Sequence, residues 1–380
     1  MVETRQNATH VVGGFAQIDP ARRSAQLAWL HQAAVEVSQD ALSEATRRHY
    51  ASDWRRFTGW ARSVGMPALP ASVDTVLAYV ADMALTVKPD GTPAFAASSV
   101  RRHLASINHF HSEGGHRSPT TDPQVAMFMK GLRNRRQERP RRMRALLLAD
   151  VRAVLQAMTY NTWPHGIAAT RDAFIVLAGF AGAFRRSEPA ALHHGDLTWN
   201  AYDGLHVLIA RSKTDQAGEG VTVLLPYGQS PQTCPVCAYI RWARLVEIHR
   251  RGGTDERARL MAAVFATPAW EDWTHICREG VPDLPAHLPV VHPVYRAVIK
   301  DGPLSGDALH AVVQRRAAAA GFRTLVGFHS LRAGFVTQAR RNGASLRSIK
   351  QQSRHATDAT VEVYDRDLPG LGNAVTDLGL

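Results

Sequence analysis

The sequence predicts a mainly α-helical protein: a helical bundle, then an α+β unit carrying a small antiparallel β-hairpin. Three observations predict it. Apolar residues recur at helical spacing through the first third of the chain. A dense basic run with a proline in its middle follows. Beyond it, helical stripes alternate with two β-rich runs around a Gly-containing turn. At 380 residues the chain has room for two sizeable cores, and 45% hydrophobic with 21% charged residues is the balance of a globular protein.

In the first part, Tyr50, Trp54, Phe57 and Trp60 lie on one helix face. Val73, Val76, Leu77, Val80 and Met83 form a second stripe behind the start signals Pro70 and Ser72. Val100, Leu104, Ile107 and Phe110 form a third, opened by Ser98-Ser99 and closed by Gly114-Gly115, and Val125, Phe128 and Leu132 a fourth. These stripes are expected to be core. The opposite faces are basic, with Arg47, Arg48, Arg55 and Arg56 on one helix and Arg101, Arg102 and His103 on another. A helix with such a face can lie in a major groove. Arg101 and Arg102, placed at a helix start, can also meet phosphate.

Charge is distributed unevenly. Residues 1–100 carry nine basic and nine acidic side chains, yet the whole chain has a net charge of +12. Between Lys130 and Arg144 stand Arg133, Arg135, Arg136, Arg139, Arg141 and Arg142, against Glu138 alone. Pro140 breaks any helix there. We therefore divide the chain into a tail (1–28), a helical domain (29–136), a basic linker (137–146), a second domain (147–366) and a terminal segment (367–380). The basic excess points to a polyanionic partner, nucleic acid before a membrane surface. Arg47, Arg48, Arg101, Arg102, Arg133, Arg136, Arg139, Arg141, Arg142 and Arg144 are the candidate DNA contacts. No apolar run is long enough for a bilayer; the longest is Phe174–Phe184. Three cysteines make no disulfide framework, so a secreted or membrane-embedded protein is not expected and a reducing, cytoplasmic setting is.

In the second part, a buried helix is expected over about Arg171–Phe184 and strands over Leu205–Ala210 and Val221–Leu225. Further helices are expected over Pro235–Arg250, Gly306–Ala320, His329–Asn342 and Ser345–Gln352, with a last short one carrying Tyr364. Cys234-Pro-Val-Cys237 has the spacing of half a zinc site but no second matching pair, since Cys277 stands alone with His275 near it in sequence. The reading is a helix start with ordinary buried thiols, and no metal or cofactor is expected. His193-His194 reads as a loop.

Four separated pieces carry chemistry. The run Ala183-Phe184-Arg185-Arg186-Ser187-Glu188 ends the apolar helix in two arginines. Lys213 sits at the hairpin tip, and His329 and Arg332 share one helix face. His355 precedes Tyr364 by nine residues. Guanidiniums grip a phosphodiester bidentately and stay charged. A Lys can protonate a leaving oxygen, a His can share a proton, and a phenolate among cations can attack phosphorus. Arginines can neutralise the charge that a metal would otherwise neutralise.

In this order, Arg185, Lys213, His329-x-x-Arg332, His355 and Tyr364 resemble the tyrosine recombinase (phage integrase) family over about residues 30–366. The resemblance implies an all-helical, SAM-like core-binding domain before the linker and a catalytic domain after it. It implies a metal-independent, site-specific DNA recombinase working through a 3′-phosphotyrosyl intermediate. Arg185 rather than Arg186 would be catalytic, Glu188 supporting, Lys213 the general acid and Tyr364 the nucleophile. The implied partners are double-stranded DNA with paired inverted repeats and a homotetramer on two sites. Residues 367–380 would dock on a neighbouring protomer. With about 28 residues before the first expected helix, a separate arm-site domain is not expected. Where the family has Leu-Gly before its second His, this chain has Ser353-Arg354. A type IB topoisomerase shares the chemistry, and a non-catalytic DNA-binding accessory protein is the reading from another class.

Overall fold

The computed structural model describes residues 26–30, 32–33, 42–137, 143–210 and 220–363. The chain forms two compact units, Met1–Pro140 and Arg141–Leu380. In the first, helix α1 (Glu44–Ser63) starts at Ser43, whose hydroxyl accepts from the Thr46 amide. Helix α2 (Val73–Leu85) starts the same way at Ser72, and α4 (Pro123–Arg136) at Asp122 with Pro123 in the first turn. Phe57, Val76, Val80, Met83, Val100, Ile107 and Val125 make the core, as the helical spacing predicts, and Tyr79, which no stripe included, joins them. Helix α3 (Ala97–Glu113) corrects one expectation: its N-cap is Ala96, with no side-chain cap. The chain enters this helix one turn before Arg101, so Arg101 and Arg102 do not lie at its open amide end. Helix α4 stops at Arg136 because Gln137 turns left-handed, before Pro140 is reached.

In the second unit, α5 (Leu148–Gln156) precedes the buried α6 (His165–Ala181). The latter starts and ends earlier than the apolar run predicts. Gly182 caps it and left-handed Ala183 turns the chain out, so Phe184 and Arg185 lie beyond the helix. After α7 (Ser187–Ala191) comes a three-stranded antiparallel sheet, β1 (Leu197–Asn200), β2 (Gly204–Ile209) and β3 (Val221–Pro226), in that spatial order. Strand β1 is too short to show alternation in sequence. Helices α8 (Pro235–Arg251) and α9 (Glu256–Phe265) follow, then the two-stranded ribbon β4 (Val294–Tyr295) and β5 (Val298–Ile299). The chain continues through α10 (Gly306–Ala319), α11 (Phe328–Arg341), α12 (Leu346–Ser353) and α13 (Asp358–Glu362). Among the described residues no helix is long and apolar enough to cross a membrane.

Two close approaches fix α11, the helix that carries His329 and Arg332. A Cβ on Gly179 of α6 would meet Leu331 Cδ1 at 2.7 Å, and one on Gly334 would meet the Leu146 carbonyl oxygen at 1.7 Å. The Leu146 amide donates to the Ser330 carbonyl (3.0 Å), and the Arg144 amide to that of Leu325 (2.9 Å). Residues 144 and 146, read in sequence as linker, thus pack within the second unit, with Leu146 fully buried. The cysteines need a correction too. Cys277 and His275 close on the Cys234–Cys237 pair, forming one cluster rather than separate buried thiols.

Candidate active site

The site is built around the turn that ends α6. The left-handed conformation of Ala183 aims its carbonyl at two guanidiniums: Arg332 Nη1 donates to it at 2.6 Å and Arg354 Nη2 at 3.2 Å. Arg185 follows two residues later. Its amide and its Nη1 donate to the two oxygens of Glu188, at 2.8 and 3.0 Å. Its Nη2 donates to the Arg354 carbonyl at 3.1 Å. Glu188 is buried and accepts also from Arg354 Nη2 at 2.7 Å, so one carboxylate orients two arginines. Arg186 points elsewhere, to Asp307 at 2.7 Å, with half of its side chain exposed.

Both histidines lie in the field of these arginines. Burial, followed by Arg332 and Arg185, lowers the His329 imidazole from its ordinary range. Burial pushes His355 down to about 3, aided by Arg332, Arg185, His329 and Arg354. His355 Nδ1 lies 2.8 Å from the Ser353 hydroxyl, which itself donates to the Ile349 carbonyl. Gln352 holds α12 in place, its amide donating to the carbonyls of Ala181 and Leu224, each at 2.8 Å. Arg185, His329, Arg332 and His355 are therefore brought together from three places: the turn after α6, helix α11 and the turn after α12. Lys213 and Tyr364 lie outside the described residues, as do 367–380. Helix α13 delivers the chain to Val363, next to Tyr364 in sequence.

No family model matches the chain. It is 27% identical over 327 residues to an integrase/recombinase XerD homologue of Selenomonas ruminantium, covering 85% of this chain and 81% of that one. Among solved structures, the Tn1549 transposon integrase in complex with transposon right-end DNA superposes with a TM-score of 0.51. Identity there is 11%, over 87% of this chain and 92% of that one. A lambda integrase tetramer bound to a Holliday junction gives 0.50 at 13% identity, over 89% and 76%. The chain is thus similar to an integrase/recombinase in sequence and shares its fold with solved integrases.

Against the tyrosine recombinase pattern, the residue that sequence reasoning missed is Arg354. It stands where the family has glycine and keeps the glycine conformation, with φ at 58°. Its guanidinium turns inward, lies over the Phe184 ring 5.3 Å from the centroid, and donates to the carbonyls of Gly182 (3.1 Å) and Gln352 (2.8 Å) besides Glu188. The only signal in sequence was the departure itself: a long cationic residue at a left-handed cap needs a partner.

The basic residues of the chain divide into two groups. Arg47 and Arg101 are exposed and make no ion pair among the described residues, and Arg48 makes an exposed helical pair with Glu44. Arg133 is exposed as well, its Nε donating to its own helix at Met129. Two of the candidate DNA contacts have partners inside the bundle. Arg102 is bound bidentately to buried Asp53, at 2.7 and 2.9 Å, in a cluster where His103 Nε2 is 3.2 Å from the same carboxylate and Tyr79 bonds His103 Nδ1. Arg136 donates to the carbonyls of Phe95 (2.6 Å) and Ala84 and closes the end of α2. Both guanidiniums hold the bundle together. Arg144 pairs with Asp150 at 2.9 Å and lies over the Phe322 ring. Arg139, Arg141 and Arg142 lie outside the described residues.

Proposed function

We propose that the chain is a site-specific DNA recombinase that cleaves and rejoins strands through a 3′-phosphotyrosyl bond. The observation that carries the reading is the convergence of Arg185, His329, Arg332 and His355 around the Ala183 turn. Arg185 and Arg332 hold the two non-bridging oxygens of the scissile phosphate, and Glu188 fixes the approach of Arg185. The Tyr364 oxygen attacks phosphorus, its proton passing to a histidine held neutral by burial. The bond from phosphorus to the 5′ oxygen breaks, and Lys213 protonates that oxygen as it leaves. Attack by a 5′ hydroxyl on the phosphotyrosine reverses each step and restores the phenol, so bond energy is conserved and no hydrolysis intervenes. Double-stranded DNA with paired inverted repeats is the substrate, and four copies on two duplexes form the working assembly, inside the cytoplasm near the nucleoid. The DNA-bound integrase neighbours support this reading.

Covalent trapping tests it. Wild type is incubated with a duplex library, denatured, and the protein-attached DNA sequenced, beside Tyr364→Phe. Attachment by wild type alone, enriched at an inverted repeat, is expected. Attachment without enrichment, together with relaxation of supercoiled DNA of any sequence, would favour the topoisomerase reading. Tight binding without attachment would leave a DNA-binding accessory protein.

A further inference from the structure

Far from the arginine cluster in sequence, four donors meet. Cys234 caps the start of α8 and Cys237 lies in its first turn; His275 and Cys277 arrive on the segment that follows α9. Their ligand atoms all lie within 4.8 Å of one another, and all three thiols are buried. His275 Nδ1 is 3.6 Å from Cys237 Sγ and 3.6 Å from Cys277 Sγ. Donors about 2.0–2.3 Å from one tetrahedral ion stand about 3.5–3.8 Å from each other, so these separations are those of ligands round a common centre.

We propose that Cys234, Cys237, His275 and Cys277 bind one structural zinc ion. Three further observations support it. The other ring nitrogen, His275 Nε2, faces the Gln229 carbonyl at 3.4 Å; donating there makes Nδ1 the acceptor and aims its lone pair at the sulfurs. One lone pair cannot serve two thiol hydrogens at once, whereas one metal serves all four donors. Backbone amides also converge on the sulfurs. Gly228 donates to Cys234 Sγ at 3.2 Å, Cys237 to the same sulfur at 3.5 Å, and Ile276 to Cys237 Sγ at 3.5 Å. Such amides stabilise thiolates, the form that binds metal. Finally, the donor set is three sulfurs and one imidazole nitrogen, which is complete for tetrahedral zinc and leaves no open position, so the ion holds structure and does no chemistry.

The consequence is a staple. The ion ties the connection after β3 and the start of α8 to the 275–277 segment, whose Cys277 carbonyl accepts from Trp199 Nε1 of β1 at 3.2 Å. It thereby braces the edge of the sheet whose β2–β3 connection carries Lys213.

The full-length chain, purified from zinc-supplemented cells and dialysed, is assayed for metal by mass spectrometry, and for sulfur-to-metal charge transfer after cobalt exchange. One zinc per chain and a tetrahedral thiolate–cobalt spectrum are expected. Cys277→Ser and His275→Ala should each weaken zinc binding about tenfold or more, while the nearby exposed His287→Ala keeps it. Because His275 is exposed, its variant folds even where Cys277→Ser does not. A folded wild-type chain with little metal and no thiolate–cobalt band would overturn the proposal. So would stoichiometric iron in place of zinc, or zinc retained unchanged in both variants.

Discussion

Arg354 shows how a single side chain can reshape a site while occupying a position built for glycine. A non-glycine residue in the left-handed region costs about 1–2 kcal/mol. Here that cost is offset by an ion pair to buried Glu188 and contact with Phe184. Arg354→Gly removes the strain along with the guanidinium, whereas Arg354→Ala keeps the strain. We expect Ala to be less stable than Gly by about 1 kcal/mol in urea unfolding. Both should lie below wild type, by less than the roughly 3–5 kcal/mol of a fully orphaned buried charge, because Arg185 remains on Glu188. Equal stability of the two variants would contradict the left-handed cap. The histidines make a second prediction. Their folded-state values are lowered, His355 to about 3, while unfolded histidine titrates near about 6.5. Below that pH the unfolded chain binds protons that the folded site refuses. Stability from these two groups is therefore complete above about pH 6.5 and is lost as pH falls towards the folded values. His355→Gln should flatten the fall in urea midpoint between about pH 6.5 and 5; an unchanged slope would rule out His355 as a source.

At the scale of elements, glycines separate packing from propensity. Gly334 of α11 rests on the Leu146 backbone, and a methyl group there would stand 1.7 Å from the carbonyl oxygen of a residue whose amide is tied to Ser330. Backbone cannot yield as a side-chain tip can, so Gly334→Ala should cost more than about 3 kcal/mol, beyond ordinary overpacking, and displace Arg332 with its helix. Gly59 is the opposite case: it is exposed within α1 and a Cβ would meet nothing within 4 Å. Gly59→Ala should raise stability by about 0.5–1 kcal/mol. Thermal unfolding of the two variants checks both. Periodicity made α1 and α11 legible from sequence, since their apolar faces repeat within a few residues. It did not distinguish the two glycines, because what each one touches lies elsewhere in the chain.

For the whole molecule, a net charge of +12 predicts DNA affinity that falls steeply with salt. The structure sharpens which residues carry that dependence. Each of Arg47→Ala and Arg101→Ala should reduce the slope of log affinity against log salt by up to about 0.9 while leaving unfolding unchanged. Arg102→Ala and Arg136→Ala should instead lower stability, since they expose Asp53 and the end of α2. If Arg102→Ala changed only the salt slope, the internal role given to it here would be wrong.

Read along the chain, spacing and composition already contain the helical stripes, the caps at Ser72 and Gly114, the basic excess, and the order of Arg185, His329, Arg332 and His355. All of these are short-range or linear properties, set by spacing within a turn or two, by charge count and by succession along the chain. Long-range packing sets the rest: Arg102 and Arg136 turn to partners inside the bundle, and Arg354 enters the arginine cluster. The same holds for His275 and Cys277, which return to a cysteine pair nearly forty residues earlier. The physical reason is that a charged or sulfur-bearing side chain has no preferred partner in its own helix or turn. Packing of distant apolar faces, such as α6 on α11, sets which carboxylate, carbonyl or thiol it meets.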